Sequence, residues 1–250
     1  AGKAGAPLRG SLKADARFSG DWHAPAIEAT AALDALQWNE QQLKHAEARL
    51  NYSGGSKGTL AFQVNAQEHE HPQGAAFSVA QAALNVQGTL PTLALQVSGN
   101  TRSGTTLNLR ASAQQQARER GWQGTLDVLN ISSPVSMQLL KPAPLQWAPE
   151  RFALGPMALT VQEGQFSEVR LETRGAQWNT EGQFDALRIN TSGNNTEPRL
   201  TLRGRWSLQA AEALNGTVHV ERVSGDVYGG PATQRVRMGL TELLFDATVR

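Results

Sequence analysis

The 250-residue chain contains no cysteine. Disulfide frameworks and thiolate zinc sites are thereby excluded. The lack also suits an oxidising compartment such as the periplasm, where free thiols are a liability. No uninterrupted apolar run approaches the roughly 18–20 residues that a membrane-crossing helix needs. Neither sign of charge is in surplus: 23 Lys and Arg against 22 Asp and Glu leave a formal net charge of +1. No basic cluster lies beside an aromatic stripe, so nucleic acid is not an expected partner. Aromatics make up 6% of the chain, and the six tryptophans (Trp22, Trp38, Trp122, Trp147, Trp178, Trp206) are scattered, as core or rim packing would scatter them. The first residues, AGKAG, carry neither the charged nor the apolar region of a secretory leader. With an end inside an alternating segment at 243–250, this start suggests a piece of a longer protein.

What is present is alternation. In Leu12-Lys13-Ala14-Asp15-Ala16-Arg17-Phe18 one face reads Leu, Ala, Ala, Phe and the other Lys, Asp, Arg. The pattern returns with Leu60, Phe62 and Val64, with Leu93, Leu95 and Val97, and with Leu107 and Leu109. It appears again with Leu200, Leu202 and Trp206, and with Val218 and Val220. A strict period of two means strands wet on one face and apolar on the other. Clusters such as Ser98-Gly99-Asn100 and Ser192-Gly193-Asn194-Asn195 punctuate them, since Gly accepts positive φ and Asn bonds its own backbone. The reading is all-β, with about fifteen strands in one repetitive domain over residues 1–250. Residues 40–50 carry good helix formers, but Ala46, Ala48, Leu50 and Tyr52 alternate, which favours a strand. Residues 113–120 read as an exposed linker. Leu33-Asp34-Ala35-Leu36, Leu126-Asp127-Val128-Leu129 and Phe184-Asp185-Ala186-Leu187 share a pattern without a fixed period. The parity switch from Leu33 to Leu36 implies a β-bulge.

No motif assembles a reaction. Gly54-Gly55-Ser56-Lys57-Gly58 matches the serine-hydrolase form G-x-S-x-G, but a strand follows where the chemistry needs a helix. His69-Glu70-His71 offers two imidazoles without a third ligand of obvious spacing, and Pro72 and Gly74 mark a loop tip. Carboxylates stand singly among Lys and Arg, so none forms the apolar pair that separates an acid from a base. No catalytic residue, metal ligand or cofactor is expected.

The punctuation at Phe18-Ser19-Gly20-Asp21-Trp22-His23-Ala24-Pro25, a looser copy at Gly88-Thr89-Leu90-Pro91, and the segments 137–145 and 151–159 resemble the TamB family. That family is the inner-membrane-anchored subunit of the translocation and assembly module of diderm bacteria, within the AsmA-like group. The resemblance implies a long folded-over antiparallel or mixed sheet, a β-taco, with an apolar inner groove and no catalytic residues. It implies a periplasmic shaft segment, with the anchor and the region meeting the outer-membrane partner TamA outside this chain. The expected groove lining is Leu12, Phe18, Leu60, Phe62, Val64, Leu93, Leu95, Val97, Leu107, Leu109, Leu200, Leu202, Trp206, Val218 and Val220. Its expected occupant is the acyl chains of phospholipid. The second reading is a scaffold for nascent outer-membrane β-barrel proteins, through strand addition at a free sheet edge. The third is a passive stalk or adhesin with a side-chain-filled interior.

Overall fold

A computed structural model describes residues 9–55, 58–71, 73–74, 78–116, 121–132, 135–190, 199–229, 236–239 and 241–249. Every described element is a β-strand. The contacts fall into two units, Ala1–Arg118 with Gly124–Pro134, and Glu119–Gln123 with Val135–Arg250.

The first unit is built from β1 (Arg9–Asp21), β2 (Ala24–Trp38), β3 (Gln41–Ser53), β4 (Thr59–Glu70), β5 (Val79–Thr89), β6 (Thr92–Thr101), β7 (Thr106–Gln116) and most of β8 (Gly121–Ser132). Hydrogen-bonded order follows chain order, and the registers from β1 to β7 are antiparallel. Each connection is therefore a hairpin, which short polar turns can make. At the first of these the Asp21 carboxylate accepts the backbone N–H groups of His23 and Ala24, both at 2.8 Å. This closes the turn that the Ser-Gly-Asp-Trp sequence announces.

The second unit holds β9 (Met137–Leu139), β10 (Ala143–Ala148), β11 (Arg151–Val161), β12 (Gly164–Arg174), β13 (Gln177–Ile189), β14 (Leu200–Ala210), β15 (Leu214–Ser224) and β18 (Leu244–Val249). β10 to β15 pair in chain order, β18 joins β15, and β9 pairs β11. β16 (Tyr228–Gly229) and β17 (Val236–Arg237) form a separate small ladder. All described registers are antiparallel, so the chain is all-β and consistent with the folded-over sheet expected.

Residues 41–50 are strand, as alternation required. The linker expected at 113–120 is corrected in part. Residues 113–116 continue β7, because Leu93 and Thr92 of β6 pair with Ala113 and Gln114; residues 117–120 lie outside the described residues. The loop tip expected at His69-Glu70-His71 is also corrected: His69 and Glu70 close β4, paired with Leu43 and Gln42. His69 Nε2 lies 3.2 Å from Gln41 Oε1. In the G-x-S-x-G segment, Ser56 and Lys57 lie outside the described residues, and β4 begins directly after Gly58.

The Leu-Asp-Ala-Leu pattern has a physical meaning. Ala35 and Ala186 sit at φ 52° and 53°. Around each the register slips by one: Arg9 to Ser11 of β1 spans Gln37 to Asp34 of β2, and the β13–β14 pairing shifts between Phe184 and Leu187. Both are β-bulges at an Asp-Ala step, and a bulge re-aims the residues beyond it. In the third copy β-branched Val128 stands in place of Ala and keeps a negative φ, since a branched side chain resists the left-handed region.

The second unit packs aromatics over glycine. Phe166 stacks on Phe184 with centroids 5.4 Å apart, and Trp206 tilts against Phe166 at 6.1 Å. Gly204 is paired with Phe184, and Gly182 with Trp206. A Cβ on Gly204 would stand 2.4 Å from the His219 carbonyl oxygen and 2.7 Å from the Phe184 ring. Gly204→Ala should therefore lower unfolding stability by about 1–3 kcal/mol. Ala186→Gly, which relieves a left-handed alanine, should be neutral or stabilising by up to about 1 kcal/mol. Urea denaturation of the two variants tests the pair; equal effects of the same sign would contradict it.

Candidate functional site

Direct cross-strand partners share a face of a sheet, so the registers can be read as rows. In the first unit one row runs Ala16–Ala29–Leu50–Phe62–Val86–Leu95–Ala111 across β1 to β7. Two residues along, a second runs Phe18–Ile27–Tyr52–Leu60–Gly88–Leu93–Ala113. In the other direction stand Ala14–Ala31–Ala48–Val64–Leu84–Val97–Leu109 and Leu12–Leu33–Ala46–Ala66–Ala82–Gly99–Leu107. Apart from the Tyr52 hydroxyl, four rows across seven strands carry no polar side chain. The row between them, Asp15–Thr30–Arg49–Gln63–Asn85–Gln96–Arg110, is polar throughout and belongs to the opposite face.

This apolar face is not closed by its own side chains. Leu60, Phe62, Val64, Leu93, Leu95, Val97, Leu107 and Leu109 are all half-buried. Leu12 and Phe18, on β1, are 67% and 75% exposed. The registers also recruit Ile27, Leu50, Tyr52, Leu84 and Val86, which were missing from the expected lining. Their signal was present in the sequence as the same alternation in β2, β3 and β5.

In the second unit the corresponding rows are Leu139–Leu159–Phe166–Phe184–Gly204–Val220–Phe245 and Leu145–Leu154–Leu171–Thr180–Leu208–Gly216. Trp206 and Val218 stand opposite one another and half-buried, as does Val220 in its own row. Leu200 and Leu202 are buried, together with Leu139, Met157 and Leu159. Those two leucines belong to packed protein and offer no open surface.

The polar faces are laced with surface ion pairs: Lys44 with Glu68 at 2.7 Å, Arg102 with Glu70 at 2.9 Å, Arg170 with Glu181 at 2.8 Å and Arg188 with Glu163 at 2.9 Å. Arg203 with Glu221 and Arg199 with Glu163 are further close pairs. The Lys44 ammonium draws the Glu68 carboxyl below its ordinary value, and Arg188 and Arg199 do the same to Glu163. These groups keep charge on one face of the sheet. Among the described residues no three His, Asp or Glu side chains converge on a metal position.

The geometry defines a class: long antiparallel sheets segregated into one charged face and one continuous, incompletely covered apolar face. A family profile described as TamB, N-terminal domain, matches residues 2–157. The chain belongs to the TamB family, and that stretch corresponds to its N-terminal domain. No curated protein and no solved structure matches the chain. TamB proteins are transport and assembly proteins of the bacterial envelope, spanning the periplasm and associated with TamA in the translocation and assembly module.

One polar cluster carries a pH signature. His45 Nδ1 lies 2.6 Å from Asp34 Oδ1, and Nε2 lies 3.3 Å from Glu47 Oε1. The hydrogen bond to Asp34, seconded by Glu47, raises the His45 pKa above its ordinary value. A raised folded-state value favours the protonated form in the folded state. Its stabilisation is complete below histidine's ordinary pKa of about 6.5 and is lost as pH rises through the folded value. An NMR titration should place His45 above an unperturbed histidine, and Asp34→Asn should lower it. An unchanged value in Asp34→Asn would contradict the assignment.

Proposed function

We propose that the apolar face shields the acyl chains of phospholipids between the inner and outer membranes, in support of outer-membrane biogenesis. The observation that carries this is the four uninterrupted apolar rows of the first unit, only half-covered by protein. Fully burying one Leu or Val is worth about 1.5–3 kcal/mol. A face of this size left in water would forgo tens of kcal/mol, and large exposed apolar surfaces are sites of binding. An acyl chain meets the need without directional bonds. Each methylene removed from water is worth about 0.8 kcal/mol, so a sixteen-carbon chain is worth about 12 kcal/mol. A bilayer offers a comparable sum, so exchange between membrane and protein is near balance. Strands about 4.8 Å apart make each seven-strand row about 29 Å long, and neighbouring rows are chemically alike. Tails can shift along such a surface without crossing a polar step.

A scaffold role toward nascent β-barrel proteins is the second reading. It is favoured by β1, which is exposed along its whole length and whose one hydrogen-bonded neighbour among the described strands is β2. Strand addition there would extend the sheet by backbone hydrogen bonds.

Photo-crosslinkers in living cells separate the two. Probes at Leu95 and Val218 should capture phospholipid, whereas probes at the oppositely facing Gln96 and Arg203 should not. Capture of unfolded barrel strands along β1, with no lipid at Leu95, would favour the scaffold. Lipid capture from Gln96 and Arg203 alone would overturn the assignment of the face.

A further inference from the structure

The apolar face of the second unit ends in a row of a different kind. At the end closed by the turns at 149–150 and 175–176, the last row runs Trp147–Phe152–Thr173–Trp178–Ala210–Leu214. Trp147 is 61% exposed, Trp178 37% and Leu214 40%. Four tryptophan, phenylalanine and leucine side chains thus line the rim at the strand ends. Indole, with an apolar body and one N–H, belongs at a boundary between apolar and wet surroundings.

The same strand ends carry an unusual charge arrangement. Arg151, the first residue of β11, is paired directly with Arg174, the last of β12. It is the one like-charged pair in the described registers, and directly opposed like charges are unfavourable. Arg170, Arg188, Arg199 and Arg203 in this unit each hold a carboxylate. Arg151 and Arg174 hold none among the described residues, although Glu150 adjoins Arg151 and Glu172 lies two residues before Arg174. Both are exposed. Arg151 precedes Phe152, and Arg174 follows Thr173, the direct partner of Trp178, so the arginines leave the face opposite the rim row and only the rim separates them.

We propose that this strand end binds the phosphate of an anionic phospholipid, with Arg151 and Arg174 on the phosphate and the tails entering past Trp147 and Trp178. This rests on the reading of the apolar face as an acyl-chain surface. Two guanidinium forks match a phosphate's geometry, and a phosphate bound between them offsets the repulsion of the two arginines. The tryptophans stand where headgroup gives way to tail.

The purified protein is incubated with vesicles of equal phosphatidylglycerol and phosphatidylcholine, re-isolated, and its carried lipid quantified by class. Phosphatidylglycerol should exceed phosphatidylcholine by about tenfold, because both carry the phosphate but the choline cation of phosphatidylcholine is repelled by the two arginines. Arg151→Gln/Arg174→Gln should bring the ratio near one while total carried lipid and the far-ultraviolet sheet signal are retained. Arg151→Lys/Arg174→Lys should keep part of the preference. Excess glycerol phosphate should not displace carried lipid. An equal ratio in the unmodified protein, or an undiminished ratio in the Gln variant, overturns the headgroup site and leaves the acyl-chain reading standing. Displacement by glycerol phosphate assigns the arginines to a free phosphate and overturns the lipid site. Absence of carried lipid of either class removes both readings.

Discussion

The two-residue period of the strand, held in register from β1 to β7, is the constraint on which the rest depends. Because side chains alternate faces, a slip of one residue would carry Lys13, Arg49, Gln63 and Arg110 onto the face now held by Ala14, Leu50, Phe62 and Leu109. Register is therefore fixed by the cost of burying charge as much as by backbone hydrogen bonds. The irregularities respect the same constraint. The bulges at Ala35 and Ala186 fall where the apolar sequence changes parity, in place of strands that would otherwise turn leucines to solvent.

Segregation of this kind leaves one face in need of cover. Among the described residues only eight apolar side chains are buried, and of these Leu139, Ala143, Met157, Leu159, Leu200 and Leu202 belong to the second unit. The first unit has almost no core of its own, yet its strands are long and continuous. Its strands are held by ladder hydrogen bonds and cross-strand pairs. A surface that gains by being covered, and that carries no fixed polar contacts, suits a transport and assembly protein of the envelope. The opposite face carries the surface ion pairs.

Much of this was legible in the sequence. Alternation gave the strands and the polarity of each face. The parity switch from Leu33 to Leu36 implied a bulge, and one stands at Ala35. What could not be read depends on pairing between distant residues. Trp147 and Trp178 look scattered along the chain, and Arg151 and Arg174 are separated by two strands' worth of residues; only the register brings them to one strand end. The burial of Leu200 and Leu202 is likewise a tertiary fact, since their alternation is the same as that of the half-buried Leu93 and Leu95. Residues 113–116 read as linker because their glutamines carry no strand pattern, yet pairing with β6 holds them in the sheet.

A lipid-bearing surface on the apolar rows of the first unit would hold its lipid through purification. Native mass spectrometry of the protein purified from a diderm host tests it most directly. Phospholipid adducts are expected, and they should disappear when Phe62 and Leu95 are both replaced by aspartate, with the sheet signal preserved. A protein that emerges free of lipid, or one whose adducts survive those two substitutions, would contradict it.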